Sequence, residues 1–196
     1  MRSTQFVPKY DPTAVELAAA IEKGCTILLA TDTIWGMICD PFNKEAYDQL
    51  YSIKKKPKDK PLIILVSNIS MLKQFVKEIH PRIETLLVYH NRPLTIVYDS
   101  PINLPQHLLA KDGTIAIRIS KDALCNEIME HTGKPLATTS ANIFGENHAL
   151  DLEDLPKQLL ADVDFVVSNN AQVPVNQKAS VIARFDQKGE LEILRE

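Results

Sequence analysis

The stretch "LLATDTIWGMICD", residues 28 to 40, begins as an apolar strand and then supplies Thr31, Asp32 and Thr33 in a row before Trp35 and Gly36. In α/β proteins a strand end is where the backbone leaves its ladder and side chains point into a crevice, so ligands collect there. Three hydrogen-bonding residues also suit the plain task of capping a turn. The neighbouring segments have to decide between the two.

Upstream, Asp11 and Pro12 read as an N-cap with proline at the first helical position. Ala14, Val15, Leu17, Ala18 and Ile21 then recur at helical spacing up to Gly24. "CTILLAT" follows as a strand, "KEAYDQLYSIK" as an amphipathic helix and "PLIILVS" as a strand apolar enough to be covered on both faces. Helical patterns around residues 69–78 and 81–89 lead to the strands "LTIVYD" and "TIAIRIS", with a proline-punctuated loop between them. Residues 121–132 read as a helix stopped by Gly133, and "PLATTSAN" as a strand running into polar residues. Leu152, Leu155, Leu159 and Leu160 mark a last helix, with Pro156 confined to its first turn. "VDFVVS", "ASVIARF" and "ELEILR" complete eight strands, the last two joined by the turn "DQKG". About eight strands interleaved with about six helices place the chain in the α/β (α+β) class, built on one large mixed sheet.

The length of 196 residues, with 45% apolar residues, suffices for one domain, taken here as residues 1–196. No apolar run approaches the roughly 18 residues of a membrane span, and no secretory signal is visible, so a soluble cytoplasmic protein without membrane partners is expected. Cys25, Cys39 and Cys125 are odd in number and lack C-x-x-C spacing, which fits reduced thiols rather than a disulfide framework or zinc site. The five histidines show no metal-protease spacing, so no metal ligands are assigned. The formal charge of −3 argues against a protein that coats nucleic acid, and anions must be bound locally.

One local concentration of positive charge is "KKKPKDK", residues 54–60, five lysines against one aspartate. Such a run is usually a solvated face; leading straight into an apolar strand, it can also hold phosphates as point charges. In "TIAIRIS", period two puts Thr114, Ala116 and Arg118 on one face. An arginine inside so apolar a strand needs an anionic partner, either a protein carboxylate or the carboxylate of a small molecule held by the planar guanidinium. In "ATTSANIFG", Thr138, Thr139, Ser140 and Asn142 end a strand before Gly145 and suit either a turn or the neutral polar groups of a ligand. No G-x-S-x-G, phosphate-binding glycine loop or kinase signature is present, so any ATP site is unconventional.

Taken in order, "TDTIWG", "KKKPKDKPL", "RPLTIV", "IAIRIS", "TTSANIFG" and "ASVI" resemble the YrdC-like family, which includes the threonylcarbamoyl-AMP synthases of tRNA modification. The resemblance runs from about Ala14 to the C-terminus. It implies an open, twisted sheet with a concave, positively charged cleft. It also implies an enzyme, a nucleotidyltransferase, that condenses L-threonine, bicarbonate and ATP, with Mg2+ carried on the ATP, into threonylcarbamoyl-AMP and pyrophosphate. The product would pass to a downstream tRNA threonylcarbamoyl transferase complex. Carried over by position, Thr33, Arg118, Thr138 and Ser180 would bind threonine, with Arg118 on its carboxylate. Lys54, Lys56, Lys60, Thr114, Ser140, Asn142 and Arg195 would bind nucleotide, and Lys56 and Arg118 would act in catalysis by positioning and charge.

Several residues depart from the family pattern. Ala30 stands for a proline, Trp35 for a tyrosine, Lys56 for an arginine and Phe144 for a serine; "HNRPLT" replaces "W-P-G-P-x-T", and Asn169 and Asn170 replace a glycine pair. Two other readings therefore stand beside the synthase: a module binding tRNA or double-stranded RNA, and a nucleotide-binding paralogue without synthase activity.

Overall fold

The computed structural model describes residues 12–58, 60–167, 178–185 and 190–196. Its elements in chain order are α1 (Ala14–Glu22), β1 (Ile27–Ala30), β2 (Trp35–Cys39), α2 (Lys44–Lys54), β3 (Ile63–Val66), α3 (Ile69–Leu72), α4 (Pro81–Tyr89) and β4 (Leu94–Tyr98). β5 (Ile115–Ile119), α5 (Ala123–Thr132), β6 (Leu136–Ser140), α6 (Lys157–Asp162), β7 (Phe165–Val166), β8 (Val181–Phe185) and β9 (Leu191–Arg195) complete the order.

The strands form one mixed sheet in the order β7-β1-β2-β6-β3-β5-β4-β8-β9. Period two distributes each buried strand between two cores. Ile27 and Leu29 of β1 join Leu65, Leu136 and the inner faces of α1 and α5 in one cluster. Leu28 of β1, Ile64 of β3, Ile96 of β4 and Ile117 of β5 join Tyr47 and Leu50 of α2 in the other. The uninterrupted apolar runs of β1 and β3 thus have cover on both faces, as expected of them.

The sequence reading missed β2. It took Thr31–Gly36 as the end of a strand, whereas β1 turns back on itself, with Ala30 opposite Trp35 and Leu28 opposite Met37. "WGMIC" is buried throughout, so it has no alternation to announce it, and the polar triplet before it resembled an exit. The first helix also begins differently. Its N-cap is Thr13, which accepts from the Glu16 amide while Glu16 Oε2 accepts from the Thr13 amide, a reciprocal capping box. Asp11, the expected cap, lies outside the described residues, as do the "DQKG" turn and Asn169 and Asn170. The expected helix at 69–78 is a single turn, and Pro156 stands at the N-cap of α6 rather than inside a longer helix. Gly133 closes α5 in the left-handed conformation at φ 64°, the stop foreseen for it. All three cysteines are free thiols. Among the described residues no helix is long and apolar enough to cross a membrane.

Removing the capping hydroxyl by Thr13→Ala is expected to lower the unfolding free energy by about 1 kcal/mol in urea denaturation.

Candidate functional site

A cleft of about 390 Å³ opens where the β1–β2 turn, the loop after α2, β5, the end of β6 and the segment before β8 converge. Among the described residues its lining includes Lys54, Lys56, Lys60, Arg118 and Arg195 against a single carboxylate, Glu146. Ten of the eleven residues assigned from the sequence line it: Thr33, Lys54, Lys56, Lys60, Arg118, Thr138, Ser140, Asn142, Ser180 and Arg195.

Thr114 does not. It shares the face of Arg118, but four residues of extended chain separate the two by about 13 Å. Its hydroxyl donates to Asp112 Oδ1 at 2.7 Å, so it closes the turn before β5. Same-face periodicity was read correctly; it carries no information on how far along a strand the ligand reaches.

The opening triplet divides its work. Thr31 Oγ1 donates to the Ile34 carbonyl at 2.7 Å and accepts from the Thr33 amide at 3.1 Å, which closes the turn. Asp32 and Thr33 turn to Arg118: Nη2 donates to Asp32 Oδ1 at 3.2 Å and Nη1 to Thr33 Oγ1 at 3.1 Å. The anionic partner demanded by a 4% exposed arginine is therefore a protein carboxylate, supplied by the turn. Arg118 Nε is buried with no hydrogen-bond partner among the described residues. Gly36 allows the tight packing here, since a Cβ on it would stand 3.2 Å from Thr31 Cγ2 and 3.5 Å from Thr138 Oγ1.

The lysine run is not a uniform face. Lys54, the last residue of α2, is buried, and its ammonium donates to the Ser140 carbonyl and Oγ, both at 2.8 Å, and to the Asn142 carbonyl and Oδ1 at 3.0 and 2.6 Å. Burial and the Lys56 charge push it down to about 7, against four oxygens that hold the proton in place. Asn142 in turn donates to the Ile143 and Glu146 carbonyls, so Lys54 organises the wall after β6 through two residues expected to touch nucleotide. Lys56 donates to the Pro61 carbonyl at 3.0 Å, and burial with the charges of Lys60 and Arg195 pushes it down to about 8. Lys60 lies over the Phe144 ring, 4.8 Å from its centre. Arg195 donates to the Ser180 carbonyl at 2.9 Å, and Ser180 Oγ is 2.8 Å from Thr95 Oγ1.

The sequence reading overlooked Ile63, Glu146 and His148 in the lining. Burial and the charges of Lys54 and Arg195 hold the His148 imidazole below its usual pKa. It lies in an irregular loop, where no periodic signal marks a position as inward. The preceding "SANIFG" was the only pointer to that wall.

Fold and cleft define an α/β protein that gathers cationic side chains at strand ends around a space fit for an anionic small molecule. More narrowly, the chain belongs to the Sua5/YciO/YrdC family: the family model described as "Telomere recombination" matches residues 19–196. The threonylcarbamoyl-AMP synthase of Pseudoalteromonas translucida is 31% identical over 157 residues, 77% of this chain and 84% of that relative. P. abyssi Sua5, solved in complex with L-threonine, superposes with a TM-score of 0.80 at 21% identity, over 93% of this chain and 53% of that one. E. coli YciO superposes with a TM-score of 0.78 at 21% identity, over 93% of this chain and 88% of that one. The chain thus spans about half the length of the Sua5 chain, and at these identities the two structures speak to fold alone.

Replacing Lys54 by methionine strips buried oxygens of their donor and is expected to cost about 3 kcal/mol in urea denaturation. Lys56 gives a second expectation. A bound polyanion raises its pKa, so binding takes up protons, and affinity for inorganic triphosphate falls as pH rises through about 8. Titration calorimetry in two buffers of different ionisation enthalpy measures that uptake.

Proposed function

We propose that this protein is a threonylcarbamoyl-AMP synthase, an enzyme of the nucleotidyltransferase type. It condenses L-threonine, bicarbonate and ATP into threonylcarbamoyl-AMP, with release of pyrophosphate. The observation that carries this reading is Arg118 lining the same cleft as Lys56, Lys60 and Arg195. The guanidinium suits a carboxylate, and a polyphosphate suits the other three cations. The identity to curated synthases supports the same chemistry.

The mechanism follows from this division. Arg118 holds the amino-acid carboxylate, with Thr33 and Thr138 beside it. The threonine ammonium first gives up one proton. The free amine then bonds to the carbon of carbon dioxide derived from bicarbonate, and the net step from amine and bicarbonate yields the carbamate and one water with no further proton released. A carbamate oxygen then attacks the α-phosphorus, and the bond to the β-phosphate oxygen breaks with pyrophosphate leaving. No protein nucleophile is needed. Lys56, Lys60 and Arg195 oppose charge on the phosphate chain, and their positions are set before the ligand arrives. Lys56 stands where the family pattern leads one to expect arginine, so it offers a point charge rather than a fork. Ser140 and Asn142, organised by Lys54, shape the nucleotide wall, and Ser180 is held between Thr95 and Arg195.

Among the described residues no group of three His, Cys, Asp or Glu side chains could hold a metal ion. That donor set does not build a protein-held magnesium site. In this reading magnesium enters as part of the nucleotide, and no step is assigned to it. The reading also includes a cytoplasmic address and delivery of the adenylate to a tRNA threonylcarbamoyl transferase complex.

Purified protein supplied with ATP, magnesium and bicarbonate is expected to release pyrophosphate only when L-threonine is added, with serine as the side-chain control. Arg118→Ala is expected to lower kcat/KM for threonine by at least about 100-fold. Nucleotide binding without threonine-dependent release would instead favour the paralogue, and RNA binding that ATP does not displace would favour the RNA module.

A further inference from the structure

The cleft has two kinds of positive charge. Lys54, Lys56, Lys60 and Arg195 donate to carbonyls, hydroxyls and an amide or rest on an aromatic ring, and among the described residues none of them pairs with a carboxylate. Arg118 differs. Asp32 touches it directly, with 5% and 12% of the two side chains exposed. Asp122, the N-cap of α5 three residues after β5 ends, accepts from the Cys125 amide at 2.8 Å and is near enough to interact with Asp32 and Arg118, while burial raises its pKa. Neither Asp32 nor Asp122 is among the residues that line the cleft.

Resting on the synthase reading, we propose that Asp32 and Asp122 are positioning residues that make the Arg118 pocket select a zwitterionic amino acid over a simple anion. Asp32 and Thr33 hold the two Nη groups and so fix the guanidinium in the cleft wall. The two carboxyls offset the arginine charge, so an anion entering the pocket gains hydrogen bonds but little net attraction. An amino acid keeps its ammonium near that negative background and gains from it. The same offset keeps the phosphate chain on the wall of unpaired cations, so that two ligands of different charge sort themselves within one cleft. The magnitude is ample: one unit charge removed at about 6 Å, at an effective dielectric of about 20, changes an affinity by more than tenfold.

The test compares L-threonine with N-acetyl-L-threonine, an anion that lacks the ammonium, by titration calorimetry of wild-type protein, D32N, D32E and D122N. The bulk of the acetyl group is the same for every protein, so the change in the ratio of the two dissociation constants isolates charge. The wild-type preference for threonine is expected to shrink by about tenfold or more in D32N and in the same direction, by less, in D122N. D32E, which keeps the charge, is expected to retain most of it. Asparagine caps a helix as well as aspartate, so D122N preserves the start of α5 and gives an answer even where D32N does not fold. Ratios unchanged in both asparagine variants overturn the proposal, as does a loss in D32E equal to that in D32N. Wild-type protein that neither binds threonine nor releases pyrophosphate with it overturns the synthase reading along with this one, whereas normal wild-type turnover with unchanged ratios overturns this one alone.

Discussion

A guanidinium that is 4% exposed in the middle of an apolar strand is the constraint around which the cleft is organised. Such a charge persists only when paired and hydrogen-bonded. Its partner comes from the turn between β1 and β2, yet β5 is the third strand from β2, with β6 and β3 between them. At about 4.8 Å per strand, a flat sheet would hold the two roughly 14 Å apart, further than an arginine side chain spans. The contact at 3.2 Å is possible because Asp32 lies off the ladder, in the turn, which carries its carboxylate across the face to Arg118. Cleft and ion pair are one feature: the pair ties the β1–β2 turn to a strand three places away.

Around that tie, the other cations show how a small protein keeps like charges close together. Each is given a neutral seat. Lys54 has four oxygens from the end of β6, Lys56 has the Pro61 carbonyl, Lys60 has the face of Phe144 and Arg195 has Ser180. Neutral seats position a charge without cancelling it. Burial first, and neighbouring positive charge second, depress the pKa values of Lys54 and Lys56. Repulsion held in place by neighbouring groups is relieved when an anion arrives, and that is how a fixed array of cations acts in catalysis without reorganising.

The sequence showed more of the chemistry than of the geometry. The boundaries of α2, the strands β3, β5 and β8 and the stop at Gly133 follow from periodicity and end signals, which are local and need no tertiary knowledge. Arg118 was legible for a different reason: a charge among Ile115, Ile117 and Ile119 is a physical contradiction that has to be resolved somewhere. The sequence could not reveal that Asp32, in the stretch read as most ligand-like, resolves it, because that contact joins a turn and a strand 86 residues apart. β2 was hidden because a strand buried on both faces has no alternation. Thr114 and Lys54 were given nucleotide roles by position in the family pattern, which does not report that Thr114 bonds Asp112 outside the cleft lining or that Lys54 ends on Ser140 and Asn142.

Phe144 shows how such a cleft absorbs a departure from its family's pattern. A serine expected at this position would offer a hydroxyl. The phenyl ring instead seats Lys60, while the backbone amide of Phe144 donates to the Lys54 carbonyl at 2.9 Å. That backbone link joins the loop after α2 to the loop after β6 regardless of the side chain, so the wall retains its course when the residue changes. The ring exchanges a hydrogen bond for an interaction that depends on Lys60 keeping its charge. Positioning of that lysine and its affinity for phosphate are thereby coupled, since an anion that draws the ammonium forward must draw it off the ring. The departure at position 144 thus changes how tightly one cation is held and leaves the division between a paired arginine and unpaired lysines intact.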